Sequence, residues 1–179
     1  MKKEIKEEVV ETEEEESRFK KILIVAVGVF LVLLMLSFVF VTFPIADIIA
    51  GFFESSPIQG NVISLGNFSI SLENETYEIL NDTYFKNQKN EISACLMGYK
   101  VENVYHIPSL YMPETYLQTF SEVVFQPCSN NTLIMLHTHP YKECVASETD
   151  FETLNKTKKE DPGVLMVVMC ESNRFAVYS

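Results

Sequence analysis

The chain has 179 residues, 14 of them basic and 25 acidic, and a formal net charge of −11. This length allows one ordinary domain with a modest extension, and the acidic balance argues against nucleic acid as the main partner. Four cysteines are too few for a small domain held together chiefly by disulfides.

The N-terminal part of the chain divides into a charged tail and an apolar run. Residues 1–21 are rich in Glu and Lys, which predicts a solvated or loosely helical extension without catalytic chemistry. The run Ile22–Val41 contains no charged residue and, at about 1.5 Å per residue, is long enough to cross a bilayer. A cleaved signal peptide usually has a shorter core followed by small residues. We therefore predict a single transmembrane helix over residues 22–43.

Two features predict on which side of the membrane the C-terminal part lies. Arg18, Lys20 and Lys21 precede the apolar run, and no Lys or Arg follows it before Lys86, which indicates a cytoplasmic N-terminus. In addition, more N-x-[ST] glycan-acceptor triplets occur than the roughly two expected by chance. They begin at Asn67, Asn74, Asn81, Asn130 and Asn155. The domain is therefore expected outside the cytoplasm, unless these asparagines only form turns and helix caps.

The remaining chain is expected to be a linker followed by one domain. Residues 44–59 read as a juxtamembrane linker, whose part 45–53 is apolar enough to lie against the membrane or on the domain. The domain spans residues 60–179. Residue periodicity predicts strands over 62–65, 68–72, 92–99, 101–107, 133–137, 164–170 and 175–178, and helices over 75–87, 113–124 and 147–159. This alternation predicts an α/β fold, a mixed β-sheet flanked by helices.

The most informative stretch lies between the strand at 133–137 and the helix that follows. Side chains two apart on a strand point to one face, so His137 and His139 can meet at a single point. Pro140 ends the strand, and Ser147 begins a helix with Asp150 in its first turn. Two imidazoles and one carboxylate are a catalytic three-ligand zinc set, which leaves a fourth position for water. Zinc lowers the pKa of such a water to about 7.

Simpler interpretations of the same residues exist. Paired histidines often merely decorate a strand end, and Ser147 with Asp150 also fits a helix capping box. However, four fixed residues at this spacing arise by chance only about once per million positions. His106 has no partner at a metal-binding spacing and is expected to be structural.

The pattern H-x-H-x7-S-x-x-D, filled by His137, His139, Ser147 and Asp150, resembles the signature of the JAMM (MPN-plus, JAB domain) zinc metalloproteases. The resemblance covers about residues 64–179. It includes Glu91–Gly98, which is similar to a buried strand of that family that opens with glutamate and continues to leucine and glycine. A departure is Ala146, where many members carry proline. The resemblance implies a cytidine-deaminase-like architecture.

The resemblance also implies roles and a reaction. His137, His139 and Asp150 would bind Zn²⁺, Glu91 would transfer the proton of the attacking water, and Ser147 would hydrogen-bond the reacting oxygen. Local context favours Glu91 over Glu78 or Glu102. The implied activity is hydrolysis of peptide or isopeptide bonds, including those of ubiquitin-like conjugates, by an enzyme anchored in the membrane.

Two other functions compete with this interpretation. A non-catalytic MPN-type scaffold tethered at the membrane is the alternative, although the complete ligand set argues against it. A zinc deaminase would need a P-C-x-x-C pair, which the sequence lacks.

The four cysteines allow several states. Outside the cell Cys95, Cys128, Cys144 and Cys170 can form two disulfides in three connectivities, and in the cytosol they would stay as buried thiols. A strand of roughly 26 Å separates Cys128 from Cys144, which disfavours that pair. Cys144 also lies near enough to the predicted ligands to be an adventitious zinc ligand.

Overall fold

The computed structural model describes residues 2–42, 45–118, 123–140 and 143–179, and the chain forms two compact units, residues 1–45 and 46–179. The first unit is helix α1 (Lys2–Thr42). Its 25 residues Arg18–Thr42 form a continuous segment with exposed side chains that is long and apolar enough to cross a membrane. This agrees, by length and composition, with the predicted span.

The second unit is built on a closed barrel. In chain order, the elements are α2 (Ile45–Glu54), β1 (Ser56–Gln59), β2 (Val62–Leu65), β3 (Phe68–Leu72), α3 (Asn74–Lys86), β4 (Ser93–Val101), β5 (Val104–Tyr111), β6 (Thr115–Gln118), β7 (Val123–Phe125), β8 (Thr132–Thr138), α4 (Glu148–Thr157), β9 (Leu165–Glu171) and β10 (Arg174–Tyr178). Eight strands close in the order β1-β10-β9-β8-β4-β5-β3-β2, while β6 and β7 form a separate two-stranded sheet.

The barrel is a mixed sheet, because β3 pairs with β5 and β8 with β9 in parallel, and its other pairs are antiparallel. A parallel pair needs a long crossover connection, and α4 provides it between β8 and β9. The tight connection between β1 and β2 uses Gly60 and Asn61, whose φ angles are 56° and 61°. Two residues with positive φ form the turn whose twist matches an antiparallel hairpin.

Strand β9 is the centre of the packing. Leu165, Val167 and Met169 belong to the core cluster inside the barrel, and Met166 and Val168 belong to a second cluster beneath α4, together with Leu154. A strand buried on both faces reads as a continuous apolar run rather than as an alternating one, as the sequence LMVVM does. This strand therefore fixes the position of β8 and α4, which carry the candidate site.

Most predicted elements are present, and three expectations change. The helix expected over residues 113–124 is wrong: the described part of that region forms β6 and β7, where Thr115, Tyr116, Val123, Val124 and Phe125 favour extended backbone. The segment 44–59, expected as a linker, contains α2 and the barrel strand β1. The mixed sheet closes on itself instead of remaining open, because β1 pairs with both β2 and β10.

Candidate metal centre

The candidate site lies where β8 leads into α4. His137 is the penultimate residue of β8, His139 follows the strand directly, and Asp150 lies in the first turn of α4. The backbone N–H of His139 donates to the carbonyl of Met169 on β9 at 3.3 Å, which holds the chain against the barrel after the strand has ended. In a strand–helix–strand unit with parallel strands, the crevice at the carboxyl ends of the strands is the usual ligand site.

The three predicted ligands form a nearly equilateral triangle. The Nε2 atoms of His137 and His139 are 3.2 Å apart, and the two carboxylate oxygens of Asp150 lie 3.3 Å and 3.4 Å from them. Atoms bound to one tetrahedral zinc ion at about 2.05 Å are separated by about 3.3 Å. The side chains are only 10%, 11% and 17% exposed. The residues therefore fit a zinc ion in both chemistry and spacing.

Asp150 serves the helix and the site at the same time. Its Oδ2 accepts hydrogen bonds from the backbone N–H and the hydroxyl of Ser147, each at 2.7 Å, while its own N–H donates to the Ser147 oxygen at 3.2 Å. This is a complete capping box, and Oδ1 remains directed at His137. The capping and ligand interpretations of Asp150 are therefore compatible.

Glu91 joins the same cluster. Its carboxylate and the ligand atoms of His137, His139 and Asp150 all lie within 4.8 Å of one another. The antiparallel pairing of β4 with β8 brings this about, since it sets Ser93 opposite His137 and leaves Glu91 two residues earlier, just beyond the strand. Neither Glu78 nor Glu102 is part of the cluster.

The charges of the cluster perturb its titration. Burial raises the pKa of Glu91, although the charges of His137 and His139 oppose that change and Asp150 adds to it. Burial also acts on the pKa of Asp150, raising it, but hydrogen bonds from both histidines outweigh this and the pKa is strongly lowered. An ionised Asp150 beside a more easily protonated Glu91 matches the division of roles expected for a ligand and a base.

The loop that precedes α4 (residues 143–147) is fixed by a disulfide and a tyrosine. The structure pairs Cys144 with Cys170 of β9 and Cys95 with Cys128. Cys144 is thus not a thiolate and does not act as a zinc ligand, and the disfavoured pair of Cys128 with Cys144 does not form. The hydroxyl of Tyr178 accepts a hydrogen bond from the Ala146 N–H at 3.0 Å.

Two supporting residues were not recognised as such from the sequence. Tyr178 is near the end of the chain, and nothing in its local pattern links it to the loop. Thr138 lies between the histidines and is 3% exposed, so its side chain faces away from the metal ligands. By contrast, His106 stacks on Tyr99 with ring centroids 5.2 Å apart, in agreement with a structural role.

Comparison with known proteins gives little beyond this geometry. No family model matches the chain, and no curated protein matches it. Among solved structures, it is similar to a JAB1/MPN domain protein from Archaeoglobus fulgidus, with 15% identity and a TM-score of 0.37, over 60% of this chain and 87% of that one. At so low a score the similarity carries no argument, so the candidate function rests on the cluster itself.

Proposed function

We propose that this protein is a membrane-anchored zinc metallohydrolase of the JAMM type that cleaves peptide or isopeptide bonds. The observation that carries the proposal is the triangle of 3.2–3.4 Å between the ligand atoms of His137, His139 and Asp150. A fourth acidic group, Glu91, lies beside this triangle, where a proton acceptor is needed. Helix α1 supplies the anchor.

The chemistry divides among the residues of the cluster. A bound Zn²⁺ supplies Lewis-acid chemistry and makes water acidic at neutral pH. Glu91 accepts the proton of the attacking water and delivers it to the leaving amine, a task for which its raised pKa suits it. The Ser147 hydroxyl, which is held by Asp150, donates to the oxygen that becomes negative when it turns from the carboxylate.

Three features favour a location of the domain outside the cytoplasm. The basic residues Arg18, Lys20 and Lys21 flank only the N-terminal side of the apolar segment. Both disulfides are expected in an oxidising compartment. Four of the five N-x-[ST] asparagines are exposed, and only Asn81 is half-buried. On that side, surface proteins and peptides are the accessible substrates, in addition to any exported ubiquitin-like conjugate.

The test combines metal analysis with hydrolysis. Full-length protein in detergent is loaded with zinc and offered a panel of fluorogenic peptides and lysine-linked diubiquitins, beside the variants E91Q and E78Q. We expect one zinc per chain in all three proteins, and a 10²- to 10⁴-fold slower rate only for E91Q. Glu78 is the matched control, since it is an exposed glutamate of α3.

The outcomes separate the enzyme from its alternative. Zinc-loaded protein that hydrolyses neither class of substrate would favour the non-catalytic scaffold, and equal rates for E91Q and E78Q would remove Glu91 from the mechanism. Sidedness is measured independently, by protease digestion of the C-terminal domain on intact cells. Digestion only after permeabilisation would contradict the external location.

A further inference from the structure

Helix α2 is packed on the domain by its small residues. Gly51 is buried, and a Cβ atom at that position would lie 2.7 Å from the Cβ of Cys144. Ser55, one turn further on, is buried too. Arg174 donates to the carbonyl oxygens of Phe52 and Ser55 at 2.8 Å and 3.0 Å. The inner face of α2 thus contacts the loop that leads to Ser147 and Asp150.

The outer face of α2 has the opposite character. It consists of large apolar side chains one turn apart, and their exposed fractions include 55% for Ile49 and 81% for Phe53. The members of this outer apolar face are Ile48, Ile49, Phe52 and Phe53. A helix of a soluble domain normally buries its large apolar residues and exposes its polar ones. Here the arrangement is inverted, so the outer apolar face calls for a cover.

The position of α2 in the chain identifies that cover. Only two residues separate its start at Ile45 from Thr42, where the apolar segment of α1 ends. Three peptide units extend over at most about 11 Å, so an anchored α1 keeps the start of α2 at the membrane boundary. An amphipathic helix there lies in the interface with its apolar face among the acyl chains. Since α2 contains no Lys or Arg, apolar burial alone would hold it.

We propose that the outer apolar face of α2 is inserted in the bilayer surface and holds the metal centre beside the membrane, so that the substrates are membrane-proximal segments of other membrane proteins. This rests on the anchor and the activity proposed above. Cys144 contacts Gly51 and is followed three residues later by Ser147, a reach of at most about 11 Å. A scissile bond in the site would then lie within a few residues of the lipid boundary.

The chain offers a specific optical test, since it contains no tryptophan. F53W places one reporter on the outer apolar face, and F85W places one on α3 at a side chain that is also exposed, by 56%. Each full-length variant is reconstituted in phosphatidylcholine vesicles. We expect F53W to emit at shorter wavelength and to be quenched by brominated phosphatidylcholine, and F85W to be quenched by aqueous acrylamide only.

Further arms fix the interpretation. Replacing a third of the lipid by phosphatidylglycerol should leave the F53W signal unchanged, because α2 has no basic residue; a clear increase in quenching would contradict burial by apolar contact alone. Quenching of F53W by acrylamide to the same extent as F85W would overturn the proposal. A blue shift without bromolipid quenching that grows with the protein-to-lipid ratio would also overturn it, in favour of a second copy of the chain.

Measurements on the same vesicles separate this proposal from the proposed function. Zinc content, hydrolysis of a soluble peptide and resistance to alkaline extraction report the metal centre and the anchor. If all three persist while F53W stays in water, only the interfacial position of α2 is wrong. If alkaline extraction removes the protein, the anchor fails and the interfacial position with it. For I49S/F53S, we expect unchanged hydrolysis of the soluble peptide and at least tenfold slower hydrolysis of the same peptide attached to a lipid; equal rates would contradict the proposed substrate class.

Discussion

Thr138 and Ile92 are joined by two hydrogen bonds: the backbone N–H of Ile92 donates to the Thr138 hydroxyl at 3.0 Å, and the N–H of Thr138 donates to the Ile92 carbonyl at 2.9 Å. Ile92 directly follows Glu91, and Thr138 lies between the two histidines. The pair therefore fixes the candidate base relative to the candidate ligands, although neither residue belongs to the cluster.

Replacement of Thr138 by valine should misplace Glu91 without removing a ligand. Valine keeps the shape but leaves the Ile92 N–H unpaired, which costs about 1–3 kcal/mol, and a shift of about 1 Å in a catalytic group can cost 10²-fold in rate. We expect T138V to bind zinc like the unchanged protein and to hydrolyse peptide 10- to 100-fold more slowly. T138S, which keeps the hydroxyl, is the control; equal rates for both variants would contradict this role.

The two disulfides should have similar effects on stability and different effects on the metal. Their sequence separations are 26 and 33 residues, and loops of that size stabilise by about 3.5 kcal/mol each. We expect C144S/C170S and C95S/C128S to unfold at similarly lowered temperatures. All eight tyrosines lie in the second unit, so their fluorescence reports its unfolding.

Only C144S/C170S should also weaken zinc, since it frees the loop that carries Ser147 and Asp150. The loss should approach the 10- to 100-fold typical of residues that support metal ligands, measured by competition with a chelator. A comparable loss in C95S/C128S would indicate general destabilisation instead of positioning.

Zinc binding should depend on pH through His139. Burial is the largest influence on the pKa of His139 and lowers it, but the hydrogen bond with Asp150 and the charges of Asp150, Glu91 and Glu143 raise it further, so it lies above the ordinary 6.5. A protonated imidazole cannot bind the metal. Affinity should therefore begin to fall above pH 6.5 and decrease by about tenfold for each lower pH unit. E143Q removes one cause, so its affinity should begin to fall at a lower pH. Affinity that is constant from pH 8 to pH 6 would contradict the raised pKa.

The metal-free protein should show the opposite dependence in its stability. A group whose pKa is raised in the folded state contributes stability that is fully present below its unfolded pKa. For His139, this contribution should disappear as the pH rises through its folded-state pKa. Thermal unfolding of metal-free protein between pH 5.5 and pH 8.5 measures it, with H139Q as the control that lacks the titrating group.

Gly98 should be intolerant of a side chain. It lies where the register of β4 with β5 shifts between Met97 and Tyr99, and a Cβ atom there would be 1.9 Å from the carbonyl oxygen of His106. Backbone cannot give way as a flexible side chain can, so G98A should cost more than about 2 kcal/mol. A Cβ at Gly66 meets nothing within 4 Å, and G66A should stay within about 0.5 kcal/mol. Equal unfolding temperatures for the two variants would contradict this view of the bulge.

The sequence was most informative where local rules and packing agree. Strands β2 and β3 and helix α3 could be predicted from periodicity, because their apolar faces meet the core directly. The convergence of His137, His139 and Asp150 could be expected because strand alternation and the capping position are both local features.

Features that depend on distant parts of the chain could not be predicted. Closure of the barrel requires the short strand β1 to pair with β10, more than 110 residues away, and no local pattern encodes that contact. The exposed sheet of β6 and β7 was mistaken for a helix because Pro113 is an acceptable first helical residue. The pairing of the cysteines likewise follows from β9 lying beside the loop before α4, a tertiary relationship.

The capping box of Asp150 has a consequence for how the site assembles. One oxygen of the carboxylate completes the helix start whether or not an ion is present, and the same bonds orient the other oxygen towards His137. An arriving cation therefore meets a rigid clasp whose ordering cost was met during folding, and occupancy can be gained or lost without rebuilding the surrounding architecture.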